Sequence, residues 1–386
     1  MGALAKFSVR TPFINNVAPT IQPFGSHLPH NPISTIWGQH TLANHALLEA
    51  ILFHAAVHLD LRHRRPWSPI TFYYRGQSIR LLNQSLESAN GTPGDAVIGA
   101  AAFLGATGNI TGNVDDDIMH RKATQKMVKM RGGLKNLGWD GALAMLLSIG
   151  DSISAIISAS EPFLDCPSPK TAPPFLQSDI GNTLTLVKPS NTNLDLSLFG
   201  AEIHSLINRI SKLASLHSNS YNELTSITTA MIAFNQYCSA VEHRLLSIKI
   251  SVLEHASPQN PDIFIYEAAR FAGLMCMTYL FRQMMPQGEV FTSLQMSLRN
   301  CLVSLEDLEL AATDESSTQL LLWACCVGGL TSVDQDWFVE RIYHCMSRLS
   351  FGNWEELELC LMQYVWTPRM CTEHFVAQWR EVQILF

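Results

Sequence analysis

The sequence predicts an all-α protein, a multi-helix bundle of packed antiparallel helices, and three observations predict it. Apolar residues recur at helical spacing along most of the chain, and no segment alternates at period two long enough to indicate a sheet. The hydrophobic fraction is 47% and the charged fraction only 15%, so the helices carry apolar faces that must be buried on one another. Proline or glycine interrupts the pattern between successive helical segments.

The first half of the chain contains a tail and then a run of helices. Residues 1–36 contain no Asp or Glu and several prolines, so we expect a disordered tail. Residues 37–160 are expected to form the N-terminal helical half of a domain. Its predicted helices are 42–61, 70–87, 96–104 with Asp95 as a cap, one containing Met127 with acidic residues 115–117 at its start, and 141–159.

A proline-rich segment separates this half from the rest. Residues 161–193 carry six prolines and predict a linker or a long surface loop. Residues 194–386 are expected to form a C-terminal helical half. Its predicted helices are 194–216, 223–253, 261–285, 291–310, 316–327, 335–349 and 354–365, with the glycine pair at 328–329 as one of the stops.

A second glycine pair ends the helix that contains Met127. Apolar residues recur at helical spacing, with lysines on other faces: Met127, Met130, Leu134, Lys122, Lys126 and Lys129. Gly132 and Gly133 supply the positive φ of a left-handed cap, and Leu134 is placed to fold back on the last turn. The sequence therefore predicts a helix–turn–helix corner before the helix at 141.

The order of residues in this corner also resembles a known family. His120–Trp139 contains His-Arg-Lys, Met-Val, Met-Arg-Gly-Gly-Leu and Leu-Gly-Trp, and residues 146–151 continue it with Leu-Leu-Ser-Ile-Gly-Asp. These segments resemble the regulatory, middle-homology-type domain of fungal Zn(2)-Cys(6) transcription factors. Further segments resemble it in the same order: Ile21–Phe24, Phe53–Asp60, Phe72–Asn83, Asp95–Leu104, Leu321–Leu330, and the tryptophans 354, 366 and 379.

One departure from the family concerns DNA binding. The family's DNA-binding module holds two zinc ions with six clustered cysteines, normally upstream of the regulatory domain. This chain has no cysteine before Cys166 and no Cys-x-x-Cys spacing. We therefore expect a regulatory domain without the zinc-cluster module, or an incomplete copy of a longer protein.

Two histidines one helical turn apart are the first candidate for chemistry. His54 and His58 have metal-ligand spacing, and Asp60 follows. A zinc protease motif would need Glu directly after His54 as the base, and Ala55 stands there. Structural histidines are the preferred interpretation, and an all-helical metal-dependent enzyme stays open as an alternative.

The nine cysteines are expected to be reduced core thiols, because they are scattered through apolar segments. Cys325 and Cys326 point about 100° apart on a helix and rarely share one metal. Cys371 and His374, with Cys345 and Cys360 upstream, leave a structural zinc site as the less favoured alternative.

Other polar clusters are best explained as surface features. Arg62–Arg65 follows a helix, where cations offset the negative helix end, and no aromatic platform for bases adjoins it. Residues 115–117 lack calcium-loop spacing. The sequence thus predicts no catalytic, cofactor-binding, metal-binding or DNA-binding residues, and no cofactor.

The resemblance implies a nuclear regulatory domain that acts through protein partners of transcription or a small-molecule effector, and is not an enzyme. The net charge of −7 disfavours direct nucleic-acid contact, and the longest uninterrupted apolar runs are too short for a membrane span. A homodimer is compatible with the sequence. A helical scaffold unrelated to transcription is a further alternative.

Overall fold

The computed structural model of the chain describes residues 36–88, 92–111, 113–167, 193–194, 196–219, 228–250, 260–282, 288–307, 314–330, 335–370 and 373–385. Within these ranges the fold is all-α, as predicted, and contains fourteen α-helices. The helices are α1 (Gly38–Ala43), α2 (His45–Arg62), α3 (Pro69–Ser88), α4 (Asp95–Thr111), α5 (Val114–Met130), α6 (Ala142–Ile157), α7 (Leu196–Asn219), α8 (Thr228–Ser247), α9 (Pro261–Met277), α10 (Glu289–Asp307), α11 (Glu315–Gly329), α12 (Gln335–Leu349), α13 (Trp354–Leu361) and α14 (Glu373–Leu385). A pair of two-residue parallel strands, β1 (Asn193–Leu194) and β2 (Lys249–Ile250), adds the only extended pairing in these ranges.

The described residues divide into two compact units. One comprises residues within Met1–Leu186 and Tyr221–Leu246, and the other residues within Val187–Ser220 and Ser247–Phe386. The sequence-based division placed residues 228–246 in the C-terminal half, whereas α8 packs with the first unit, because its apolar side chains such as Ile232 join that unit's core. The predicted tail and proline-rich loop lie almost wholly outside the described residues, so the domain boundaries stay a prediction.

In the first unit, α4 is the central helix and packs against α2, α3, α5 and α6. Small residues on α4 leave room for α5 to pack closely against it. A methyl group added at Gly108 would lie 2.8 Å from the backbone nitrogen of Asp117, and one at Gly105 would lie 3.0 Å from Cβ of His120. The small residues of α4 therefore set how closely α5 approaches.

In the second unit, α9 occupies the corresponding central position and packs against α7, α10 and α11. It continues beyond Met277 as a π-helical turn, Thr278–Arg282. The largest buried side chain of this unit is Trp323 on α11, with no exposed surface.

The glycine pair at 328–329 forms the last two residues of α11, so the helix ends at the stop that the sequence predicts. A methyl group at Gly328 would overlap the ring of Phe338, and one at Gly329 would overlap the side chain of Gln378. These glycines serve close packing of helices, and α14, which carries Gln378, was missed by the sequence analysis.

Among the residues that the structure describes, two helices have the length and apolarity of a membrane span, Trp139–Ile157 and Pro261–Arg282. Their most apolar stretches are 78% and 61% buried inside the protein, which is typical of core helices. The sequence analysis counted uninterrupted apolar runs and so passed over both. The expectation that the chain does not contact a membrane stays a prediction.

Candidate functional site

The corner after α5 forms as the sequence predicts. Gly132 and Gly133 have φ values of 82° and 95°. The Gly133 amide donates to the carbonyl of Val128 at 3.0 Å, and the Gly132 amide donates to that of Lys129 at 2.9 Å. These two bonds are a Schellman motif, which satisfies carbonyls that the helix end would leave unpaired. Leu134 follows and is buried in the core of the first unit.

Gly133 offers a direct test of this cap. Its φ of 95° is unfavourable for any residue with a Cβ, and no atom lies within 4 Å of the added carbon, so the cost of substitution is conformational strain alone. We expect Gly133→Ala to lower the free energy of unfolding by about 1 kcal/mol or more. Gly150→Ala, inside α6 with equally open surroundings, is the matched control and should be neutral or stabilising. Equal effects of the two substitutions in urea denaturation would contradict the cap.

The corner ends in a run of left-handed backbone before α6. Trp139, Asp140 and Gly141 have φ values of 58°, 51° and 88°. Such conformations cost about 1 kcal/mol or more at residues with a side chain, so the surroundings must hold them. Trp139 stacks on His40 of α1 with ring centroids 4.5 Å apart, and meets the edge of Trp37 at 4.9 Å.

The carboxylate of Asp95, on α4, bonds to two residues of the corner. Asp95 accepts a hydrogen bond from the backbone amide of Gly138 at 3.0 Å and forms an ion pair with Arg131 at 2.9 Å. The sequence analysis expected Asp95 to cap α4. The structure places it in the first turn of α4 and uses its carboxylate to tie α4 to the corner.

A buried ion-pair cluster joins α5 and α6. The Arg121 guanidinium donates from Nε and Nη2 to Oδ1 of Asp151, at 3.2 and 3.1 Å, and lies 3.6 Å from Oδ2 of Asp117. The Ser154 hydroxyl donates to the other oxygen of Asp117 at 3.1 Å. Burial raises the pKa of Asp117, and the Arg121 charge opposes that rise. All three charged side chains are at least nine-tenths buried.

The cluster also fastens the segment that follows α6. Asp151 accepts from the backbone amide of Leu164 at 2.8 Å, and the guanidinium of Arg121 lies 4.0 Å from the ring centre of Phe163. His243 of α8 donates from Nε2 to the Leu164 carbonyl at 2.9 Å. A crevice adjoins this segment, and it is too narrow to enclose a small molecule.

The sequence analysis quoted Arg121 and Asp151 within the family-like segments but assigned neither a role. It placed Asp115, Asp116 and Asp117 at the start of α5, and all three do lie in its first turn. The capping side chain is instead Asn113, which accepts from the Asp116 amide. Two signals were available: the i,i+4 spacing of Asp117 and Arg121, and a charged residue at 151 within an otherwise apolar helix.

The histidine pair on α2 serves structure. The Thr107 hydroxyl donates to the Phe103 carbonyl at 2.8 Å, so its oxygen accepts from Nδ1 of His54 at 3.0 Å. Burial, and then the neighbouring His58, lowers the pKa of His54 to about 4. Asp60 lies elsewhere: it accepts from Arg65, the Ser68 amide and the Thr71 hydroxyl and joins α2 to α3.

The low pKa of His54 predicts how stability depends on pH. In the unfolded chain this imidazole titrates near 6.5, so between pH 6.5 and about 4 the unfolded state binds more protons than the folded state. The free energy of unfolding should fall as pH falls through this window, by about 2 kcal/mol from this histidine between pH 7 and 5.

His54→Gln, which keeps an amide donor, is the matched variant for this prediction. Urea denaturation of both proteins at the two pH values should show a shallower fall in the variant. Burial, and then the charge of Arg369, lower the pKa of His217 to about 4. His217 therefore contributes the same trend to both proteins. Identical falls in both proteins would contradict the prediction for His54.

The basic run and the cysteines also have local partners. Arg62–Arg65 is exposed, and Arg65 pairs with Asp60 at 2.7 Å. The Cys325 thiol donates a hydrogen bond to Cys345, and this bond and burial raise the pKa of Cys325 well above its usual range. Burial raises the pKa of Cys360 to about 11. Cys371 and the side chain of His374 lie outside the described residues.

Across the residues that the structure describes, no three His, Cys, Asp or Glu side chains converge as a metal site. His54, Asp60, Arg121 and Asp151 are held by hydrogen bonds or ion pairs inside the fold. These bonds can fix helices against one another and keep their geometry. The residues therefore serve structure and not chemistry.

The comparisons with known proteins give one match. Residues 11–384 match the family model described as the fungal specific transcription factor domain. No zinc-cluster DNA-binding domain is detected in the chain, in agreement with the sequence analysis. No curated protein and no solved structure gives a significant match. Because the family match covers nearly the whole chain, the protein belongs to the fungal specific transcription factor domain family and has a regulatory role in transcription.

Proposed function

We propose that this domain regulates transcription through protein partners or a small-molecule effector, without contacting DNA itself and without catalysis. The observation that carries the proposal is the family match over residues 11–384. Two further facts support it. The net charge is −7, unfavourable for a DNA-binding surface, and the ionisable groups of the first unit's interior are engaged within the fold.

The proposed mechanism is a shift between helix packings. The Arg121 cluster joins α5, α6 and the segment around Leu164 through a small number of directional bonds. A ligand or partner that binds one packing better than another shifts the population toward it, and so exposes or hides a surface. We place this domain in the nucleus and regard a homodimer as its simplest assembly, which sedimentation would measure.

A tethering experiment tests this proposal. The full chain is fused to an unrelated DNA-binding domain in a fungal cell, and transcription of a reporter carrying that domain's site is measured. We expect output that differs from the DNA-binding domain alone and that changes with growth condition. The control is a fusion of Trp323→Ala, whose lower stability should weaken the effect. Output equal to that of the DNA-binding domain alone under every condition would overturn the proposal.

A further inference from the structure

The solvent face of α5 carries a surface that the buried cluster does not use. Counting 100° per residue, two adjoining rows run along it. One row is apolar and the other basic, and together we name them the Met–Lys face: Met119, Ala123 and Met130, beside Lys122, Lys126 and Lys129.

Both rows are open to solvent. Met119 is 56% and Met130 is 49% exposed, although methionine side chains favour burial. The three lysines are exposed, and no hydrogen bond or ion pair engages them within the described part of the chain. The face therefore presents unpaired positive charge next to flexible, polarisable apolar side chains.

The positive charge of this region stands out against the chain as a whole. Residues 118–139 contain no Asp or Glu and include four lysines, whereas the whole chain has a net charge of −7. Lys135, in the corner after the helix, is also exposed. Acidic groups on a partner are the chemical complement of this region.

We propose that the Met–Lys face binds an acidic amphipathic helix of a partner protein. This inference rests on the proposed function and names the chemistry of the partner. Lys122 and Lys129 are seven residues apart, about 10 Å along the axis. Carboxylates at i, i+4 and i+7 of a partner helix match the lysine row, and an adjacent apolar row of that helix covers Met119 and Met130.

A protein partner fits this face better than DNA or a membrane. The phosphate groups of DNA would pair with the lysines but leave the methionine row uncovered, and no aromatic side chain on the face offers a stacking platform for bases. A membrane surface needs a wider apolar face than the two exposed methionines of this face provide. Methionine-rich surfaces, in contrast, adapt to apolar side chains of varied shape.

The test uses the full chain and a synthetic acidic helical peptide of about 18 residues, with Glu at i, i+4 and i+7 beside a row of Leu. Its control is a peptide of the same composition in scrambled order. Calorimetric titration should show binding to the first peptide only. Raising the salt from about 0.05 to about 0.5 M should weaken the binding, because salt screens charges at an exposed surface.

Matched variants separate the face from the rest of the surface. The triple variant Lys122→Glu, Lys126→Glu, Lys129→Glu should weaken binding about tenfold or more. The double variant Met119→Ser, Met130→Ser should weaken it as well. Lys212→Glu and Met296→Ser, at exposed positions of the second unit, should leave it unchanged. Thermal melting confirms that each variant is folded.

Three results would overturn the inference: no binding of the acidic peptide, binding that the triple variant leaves intact, or tighter binding to anionic lipid vesicles or duplex DNA than to the peptide. The tethered reporter keeps this failure distinct from failure of the proposed function. If the wild-type fusion and the folded triple variant regulate the reporter equally, the proposed role of the Met–Lys face is wrong and the proposed function is retained. If the peptide binds but the wild-type fusion never regulates, the face stands and the function is wrong.

Discussion

Replacing Arg121 with methionine is expected to lower the free energy of unfolding by about 3–5 kcal/mol. The guanidinium is buried between Asp117 and Asp151, and its removal leaves two buried carboxylates without their cation. Methionine fills part of the volume of the arginine side chain. The loss of stability therefore reflects the missing charge more than the missing packing. Urea denaturation of the full chain at neutral pH measures it.

The pH dependence of the Arg121→Met deficit identifies its cause. Without the guanidinium the pKa of Asp117 rises further, because the charge that opposes its rise is lost. A raised folded-state pKa means that stability is gained as pH falls through it. The difference between variant and wild type should therefore be smaller at pH 5 than at pH 7. Adding Asp117→Asn and Asp151→Asn should also recover part of the loss. If Arg121→Met lowers the free energy of unfolding by under 1 kcal/mol, and by the same amount at both pH values, the cluster does not stabilise the fold.

Replacing Trp323 with alanine should lower the free energy of unfolding by about 3–5 kcal/mol. Trp323 has no exposed surface, and its indole Nε1 donates to the Val365 carbonyl at 3.0 Å. Its ring stacks on Tyr364, with centroids 5.5 Å apart. The substitution removes this ring from the centre of α11 and leaves a buried carbonyl without its donor.

Two controls bracket the Trp323 prediction. Trp323→Phe keeps a ring against Tyr364 but loses the hydrogen bond, so its cost should be intermediate. Leu359→Ala, at a position 67% exposed on α13, should change stability by less than about 0.5 kcal/mol. A loss under 1 kcal/mol in Trp323→Ala would mean that α11 is not central to its unit.

The corner after α5 was predictable because its determinants are local. Gly132 and Gly133 must take positive φ for the helix to end there, and the five-residue reach of the Schellman bonds lies within the same stretch of sequence. The alternation of apolar and polar residues likewise predicted most helices, and Gln335–Leu349 was predicted to the residue. Such features need no knowledge of distant segments.

Features that depend on distant segments escaped prediction. Gly328 and Gly329 end α11 as predicted, but the local pattern did not predict that Phe338 and Gln378 pack closely against them. Asp117, Arg121 and Asp151 converge only once α5 and α6 are packed together. α8 follows the proline-rich segment in sequence and nevertheless packs with the first unit. In each case tertiary packing decides a contact that the local pattern does not predict.

The same reasoning applies to the candidate metal site. His54 and His58 have the spacing of ligands, and Asp60 is close in sequence, but each side chain's environment differs. His54 binds Thr107 in the core, while the Asp60 carboxylate is occupied by donors of the α2–α3 turn. Spacing along a helix brings side chains to one face, and only the packing around that face decides whether a ligand can reach them.

The most direct test of the account is transcription from a reporter to which the full chain is tethered by an unrelated DNA-binding domain. The account predicts a condition-dependent change in output for the wild-type chain, retained in Lys212→Glu and reduced in the charge-reversed Met–Lys face. Output indistinguishable from that of the DNA-binding domain alone, under all conditions and with the fusion folded and nuclear, would contradict it.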